Sequence, residues 1–120
     1  MVTFLIADNS KIVLEVLEFT LDQADFEVYS ATNAAQVEQI LATHRVDFIL
    51  LDQNLGGEDA IELAREVLEA NKHIKILVMS NTQSVEEKRR AKKVGVVGWI
   101  LKPFIPSHLI RMIIKTFLDE

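Results

Sequence analysis

Cysteine is absent from the 120-residue chain, which excludes thiol catalysis, cysteine-ligated zinc, iron–sulfur clusters and any disulfide staple. Proline and glycine are scarce, at two and four residues, and no linker or low-complexity tract interrupts the sequence. No apolar run approaches the roughly 18 residues needed to cross a bilayer, so no membrane span is expected. The N-terminal stretch MVTFLIADNS has no basic lead and meets Asp8 early, so it does not read as a secretion signal and a cytoplasmic location is expected.

What the chain does have is core material. Apolar residues make up 49% and charged residues 26%, and a single domain spanning 1–120 is expected. A chain of this size buries about two-thirds of its unfolded surface, enough for a core without a metal staple. The net charge of −5 is uneven. Residues 1–71 carry 14 acids and 3 bases (−11), whereas residues 72–120 carry 4 acids and 10 bases (+6). Net negative charge argues against nucleic acid as a direct partner.

Two periodicities alternate along the chain. Strand-length apolar runs occur at 2–7, 46–51, 74–79 and 96–101, with a weaker one at 26–30. Their Val, Ile, Leu and Phe content suits strands covered on both faces. Between them, apolar residues recur every three or four positions: Ile12, Val13, Val16, Leu17, Phe19 and Leu21; Val37, Ile40 and Leu41; Ile61, Ala64, Val67 and Leu68. Ser10, Asn33, Ser84 and Ser107 read as helix starts, Glu87 completes a capping box with Ser84, and Gly95 reads as a helix stop. Five βα units in succession predict an α/β fold, with a doubly wound parallel sheet and helices on its faces.

Ligands of such sheets sit beyond the carboxyl ends of the strands. The polar residues there are Asp8, Ser30, Asp52, Ser80 and Lys102, and four of them converge if the strands ending at 7, 51, 79 and 101 are neighbours. Two adjacent carboxylates need a cation between them. With oxygen ligands only, that cation is a hard one, Mg²⁺ before Ca²⁺. A carboxylate facing a cation, an ammonium and a hydroxyl is equipped to accept a phosphoryl group. None of His44, His73 and His108 lies at a strand end with suitable companions.

The segments ADNS at 7–10, LLDQN at 50–54, MSN at 79–81 and LKPF at 101–104 resemble, in order and spacing, the signature of response-regulator receiver domains of two-component signalling. The resemblance covers essentially the whole chain. It implies a flavodoxin-like three-layer sandwich with five strands in the order 2-1-3-4-5 and five helices. It puts Asp52 at the phosphoacceptor position, Ser80 at the hydroxyl position, Lys102 at the lysine position and Trp99 at the rotating aromatic position. Mg²⁺ would be held by Asp8, Asn9, Asp52 and the backbone carbonyl of Asn54. A cis bond is implied before Pro103. The implied donor is a sensor histidine kinase or phosphotransfer protein, and Lys102 is expected to pair with Asp52 at rest. The domain would assist its own phosphorylation and dephosphorylation without turning over a metabolite. Two positions depart from the pattern: Asn9 stands where a second acid is usual, and Gly56, followed by Gly57, stands where proline is common and is expected to loosen the loop.

The alternative function is a divergent, phosphorylation-independent interaction or dimerisation module. A third reading, a Mg²⁺-dependent phosphohydrolase, lacks a second acid two positions after Asp52. A partner face is expected across 84–118 for an output protein or a second copy. Its charge would come from Lys88, Arg89 and Lys92, and its apolar area from Ile110, Ile114 and Leu118, with Leu109, Met112, Ile113 and Phe117 facing the core.

Overall fold

A computed structural model describes residues 1–118 of the chain, so Asp119 and Glu120 of the expected domain lie outside the described residues. Five strands form one parallel sheet: β1 (Thr3–Ala7), β2 (Glu27–Ala31), β3 (Phe48–Asp52), β4 (Lys75–Ser80) and β5 (Gly98–Leu101). Their order is β2-β1-β3-β4-β5, all pairs parallel, as the resemblance implied. The helices are α1 (Lys11–Gln23), α2 (Ala34–Thr43), α3 (Ala60–Ala70), α4 (Val85–Val94) and α5 (Pro106–Ile113), and a π-helical turn continues α5 over Ile114–Leu118. No described helix is long and apolar enough to cross a membrane.

Strand pleating sends alternate residues to opposite faces, which divides the core in two. On one face Phe4, Ile6, Phe48, Leu50, Leu77 and Met79 pack with α1 and α5. On the other, Leu5, Ala7, Ile49, Leu51, Ile76 and Val78 pack with α2, α3 and α4. Both faces are covered, which is why the strands read as continuous apolar runs.

Ser10, Asn33 and Ser84 cap α1, α2 and α4 through bonds to Val13 N, Gln36 N and Glu87 N. The cap expected at Ser107 is absent. Helix α5 starts from Ile105 with Pro106 in its first turn, where proline's missing N–H costs nothing. Asp59 caps α3 by accepting from Ile61 N and Glu62 N, a start the sequence reading did not mark.

Gly95 ends α4 at φ +108°, with its N–H bonded to Lys92 O and that of Val96 bonded to Ala91 O. A Cβ there would lie 3.1 Å from Leu68 Cδ1. Gly95→Ala is therefore expected to cost about 1–2 kcal/mol, read as a lower urea midpoint at unchanged slope.

Two expectations on the helices are corrected. In α1 the buried residues are Leu14, Leu17 and Leu21, whereas Ile12, Val16 and Phe19 form a second, exposed stripe. In α5, Ile110 is buried beside Leu109 and Ile113 and Met112 is exposed, while Ile114, Phe117 and Leu118 are partly buried against the same core. Ile110 thus contributes no free surface. The loop holding Gly56 and Gly57 is a two-residue hairpin turn. Both glycines have positive φ, +62° and +83°, and Asn54–Leu55 pairs antiparallel with Glu58–Asp59 across it.

Candidate functional site

Hydrogen bonds running past the ends of the strands fix the backbone of the site. Asp8 N donates to Ala31 O at 3.1 Å, Gln53 N to Met79 O at 2.8 Å and Lys102 N to Ser80 O at 2.7 Å. The parallel register sets Asp52 beside Met79 and Ser80 beside Leu101. Side chains placed just beyond the last ladder bonds are held by rigid backbone, yet face an open rim.

Asp8, Asp52 and Ser80 are buried, and all three are polar. The Lys102 ammonium lies between the two carboxylates, 2.7 Å from Asp8 Oδ2 and 3.4 Å from Asp52 Oδ2. The expected pairing of Lys102 with Asp52 is present as an ion pair, and Asp8, which the expectation did not include, is the closer partner and accepts a hydrogen bond from the ammonium. Both acids are buried, so each gains from a counter-ion, and one ammonium serves the two. Asp8 Oδ1 also accepts from Ser10 N at 2.9 Å, and Asp52 Oδ1 accepts from Asn54 N at 3.2 Å.

Burial pushes the Asp52 carboxyl above the usual aspartate range, and the neighbouring Asp8 charge adds to this. The Asn54 N–H and the Lys102 ammonium act in the opposite direction. Asp52 is thus a desolvated carboxylate kept beside a cation.

Asp52, Ser80, Lys102, Asn9, Gln53, Asn54 and Asn81 line one cleft of about 120 Å³. Asn9 and Asn54 are exposed at its rim. The cleft offers oxygen from the Asp52 carboxylate and from amides, and the buried Asp8 carboxylate is linked to it through Lys102; oxygen donors suit a hard cation. Among the described residues no group of three or more Asp, Glu, His or Cys side chains is placed to hold a metal ion. The Lys102–Pro103 bond is cis.

Ser80 Oγ donates to Gln53 Oε1 and accepts from Thr82 N at 3.0 Å. Trp99 is half-buried, and its indole N–H donates to Thr82 O at 3.0 Å, which ties it to the loop after Ser80. Gln53 was missed by the sequence reading; its place directly after Asp52 was the available signal. Lys88 is partly buried, whereas Arg89 and Lys92 are exposed on α4, outside the cleft. Ile110, Ile114 and Leu118 lie under α5 and its π turn, away from it.

Comparison with known proteins agrees with this geometry. The family model for the response regulator receiver domain matches residues 4–114. The phosphate regulon transcriptional regulatory protein PhoB of Pseudomonas aeruginosa is 32% identical over 110 residues, covering 90% of this chain and 48% of that protein. The chain spans less than half the length of the curated relatives it matches. Among solved structures, the chemotaxis protein CheY4 of Vibrio cholerae superimposes with TM-score 0.89 at 28% identity, covering 96% of this chain and 98% of that one. A Burkholderia pseudomallei response regulator with a phosphorylated aspartic acid, a calcium ion and citrate superimposes with TM-score 0.85 at 21% identity, covering 92% and 65%. With the sheet order, the strand-end acids and the family match in agreement, the chain belongs to the response regulator receiver domain family.

Proposed function

We propose that the chain is a phosphorylation switch of two-component signalling in which Asp52 takes a phosphoryl group from the phosphohistidine of a sensor histidine kinase or phosphotransfer protein. The observation that carries the reading is the convergence of Asp8, Asp52, Ser80 and Lys102 from the ends of four adjacent strands. The phosphoaspartate in the Burkholderia relative supports it. An acceptor carboxylate and its hydroxyl and ammonium companions are what an interaction-only module does not need.

An Asp52 oxygen attacks phosphorus, the phosphorus–nitrogen bond of the donor breaks, and the imidazole leaves with that electron pair and takes a proton from water. Lys102 swings from Asp8 towards the new phosphoryl oxygens, and Ser80 turns its hydroxyl proton to one of them. Asp8, Asp52, the Asn54 carbonyl and the Asn9 amide would hold Mg²⁺, which when bound supplies charge that neutralises the phosphoryl oxygens. Attack of water on the same phosphorus regenerates Asp52, so no metabolite is turned over.

A donor must reach Asp52 across the rim formed by α1 and the loop before α5. Ile12, Val16, Phe104 and Pro106 line an apolar cleft of about 560 Å³ there, which shares Asn81 and Lys102 with the acceptor cleft. The donor protein docks on this cleft, and the output partner, a second copy included, reads the α4–β5 side through Lys88, Arg89 and Lys92 with the exposed Val97 and Leu101. The site of action is the cytoplasm, where ATP charges the donor.

Intact mass after incubation with acetyl phosphate and Mg²⁺ tests the reading. Gain of one phosphoryl group, abolished by a chelator, is expected; no gain overturns it. Asn9→Asp adds a formal charge to the cation site and is expected to tighten Mg²⁺ binding about tenfold, followed by Trp99 fluorescence. Unchanged affinity would place Asn9 outside the ligand set.

A further inference from the structure

Gln53 is bonded at both ends of its amide. Its Oε1 accepts from Ser80 Oγ, and its Nε2 donates to Glu87 Oε2 in the first turn of α4. Glu87 stands three residues after the Ser84 cap, whose hydroxyl accepts from Glu87 N at 3.2 Å. That spacing is the one in which a glutamate turns back on its own cap, but here the carboxylate reaches across to the loop after Asp52. A side chain next to the acceptor thus bridges the hydroxyl of β4 to the start of the next helix.

A serine hydroxyl has one proton to give. The Ser80 proton goes to Gln53, while Thr82 N occupies an acceptor site on the same oxygen. To bond a phosphoryl oxygen on Asp52, Ser80 must take that proton away from Gln53. The Gln53 carbonyl then loses its donor, and the amide that holds Glu87 is free to turn. Trp99 senses the change through Thr82, to which both Ser80 and the indole are bonded.

We infer that Gln53 is a latch: it competes with the phosphoryl group for the Ser80 proton and couples the state of that hydroxyl to the first turn of α4. The inference rests on Asp52 being the phosphoacceptor. It makes Gln53 a positioning residue that biases the switch towards its resting state, since a ligand shifts two states only by its differential interaction with them.

Gln53→Met keeps the length of the side chain and removes both bonds. Two readouts test it. In unphosphorylated protein without metal, amide hydrogen exchange across 82–88 is expected to quicken about fivefold, as for loss of one local hydrogen-bonded tie. With Mg²⁺ present, the apparent affinity for beryllofluoride, followed by Trp99 fluorescence, is expected to tighten about fivefold in Gln53→Met and not to change when the same substitution is made in Ser80→Ala. Gln53→Ala must shift both readouts in the same direction. Unchanged exchange, unchanged or weaker beryllofluoride binding, or an equal shift in the Ser80→Ala background would each overturn the latch. Failure of wild type itself to bind beryllofluoride would instead overturn the acceptor reading, and the competition with it.

Discussion

Asp52→Asn is expected to abolish phosphorylation by acetyl phosphate while leaving the fold at least as stable as wild type. Asparagine has almost the same shape and keeps an oxygen able to accept from Asn54 N, but its amide is no nucleophile. Stability should not fall because wild type buries a charge whose pKa is raised, chiefly by desolvation and next by Asp8. A carboxyl raised above its unfolded value opposes folding when ionised. That opposition is present at neutral pH and is relieved as the pH falls through the folded pKa towards the ordinary aspartate value of 3.8. The urea midpoint of Asp52→Asn should therefore equal or exceed that of wild type at pH 7, and any excess should shrink as the solution is acidified. A large loss of stability at neutral pH would mean that the Lys102 contact outweighs desolvation.

Asp8→Ala is expected to weaken Mg²⁺ binding about 100-fold, with phosphorylation slowing in step. With asparagine at position 9, Asp52 in the cleft and the buried Asp8, which shares Lys102 with it, are the two acids whose charge is expected to serve a cation there. Removing one takes away half of that charge. It also releases Lys102 from its hydrogen bond at 2.7 Å and lets the ammonium settle on Asp52, the remaining carboxylate. The cation then meets a competitor on its last charged ligand. Trp99 fluorescence gives the titration, and Mg²⁺ affinity equal to wild type would remove Asp8 from the metal site.

The strands and their polar ends were legible because burial on both faces leaves a distinctive record. Runs such as Phe48–Leu51 have no polar position until the sheet stops, so Asp52 announces a strand end. Caps such as Ser10 and Asn33 were legible because the side chain that satisfies the first turn must be short and polar. Helix phase was not. Both α1 and α5 are apolar around much of their circumference, so two stripes fit each sequence, and contact with Phe4, Leu50 and Met79 of the sheet selects one. Leu14 and Ile110 went inward, and Ile12 and Met112 outward, by a rotation that periodicity alone does not specify.

At the site, residue types were readable but not every pairing was. Lys102 pairs with Asp52 as expected, but its closer contact with Asp8 joins strands distant in sequence and has no local signature. The bonds of Gln53 join residues 27 and 34 positions apart, which no local pattern marks. The hairpin turn at Gly56 and Gly57 was not read from the sequence, although two glycines able to take positive φ between pairing residues are what such a turn requires.

The central claim, that Asp52 carries the phosphoryl group, is tested most directly by chemical trapping. Borohydride reduces an aspartyl phosphate, but not a free aspartate, to homoserine. Protein phosphorylated by acetyl phosphate and Mg²⁺, reduced and mapped by peptide mass spectrometry is predicted to carry homoserine at position 52 and to retain aspartate at position 8. Homoserine at position 8, or unmodified Asp52 in protein that has gained a phosphoryl group, would contradict the account.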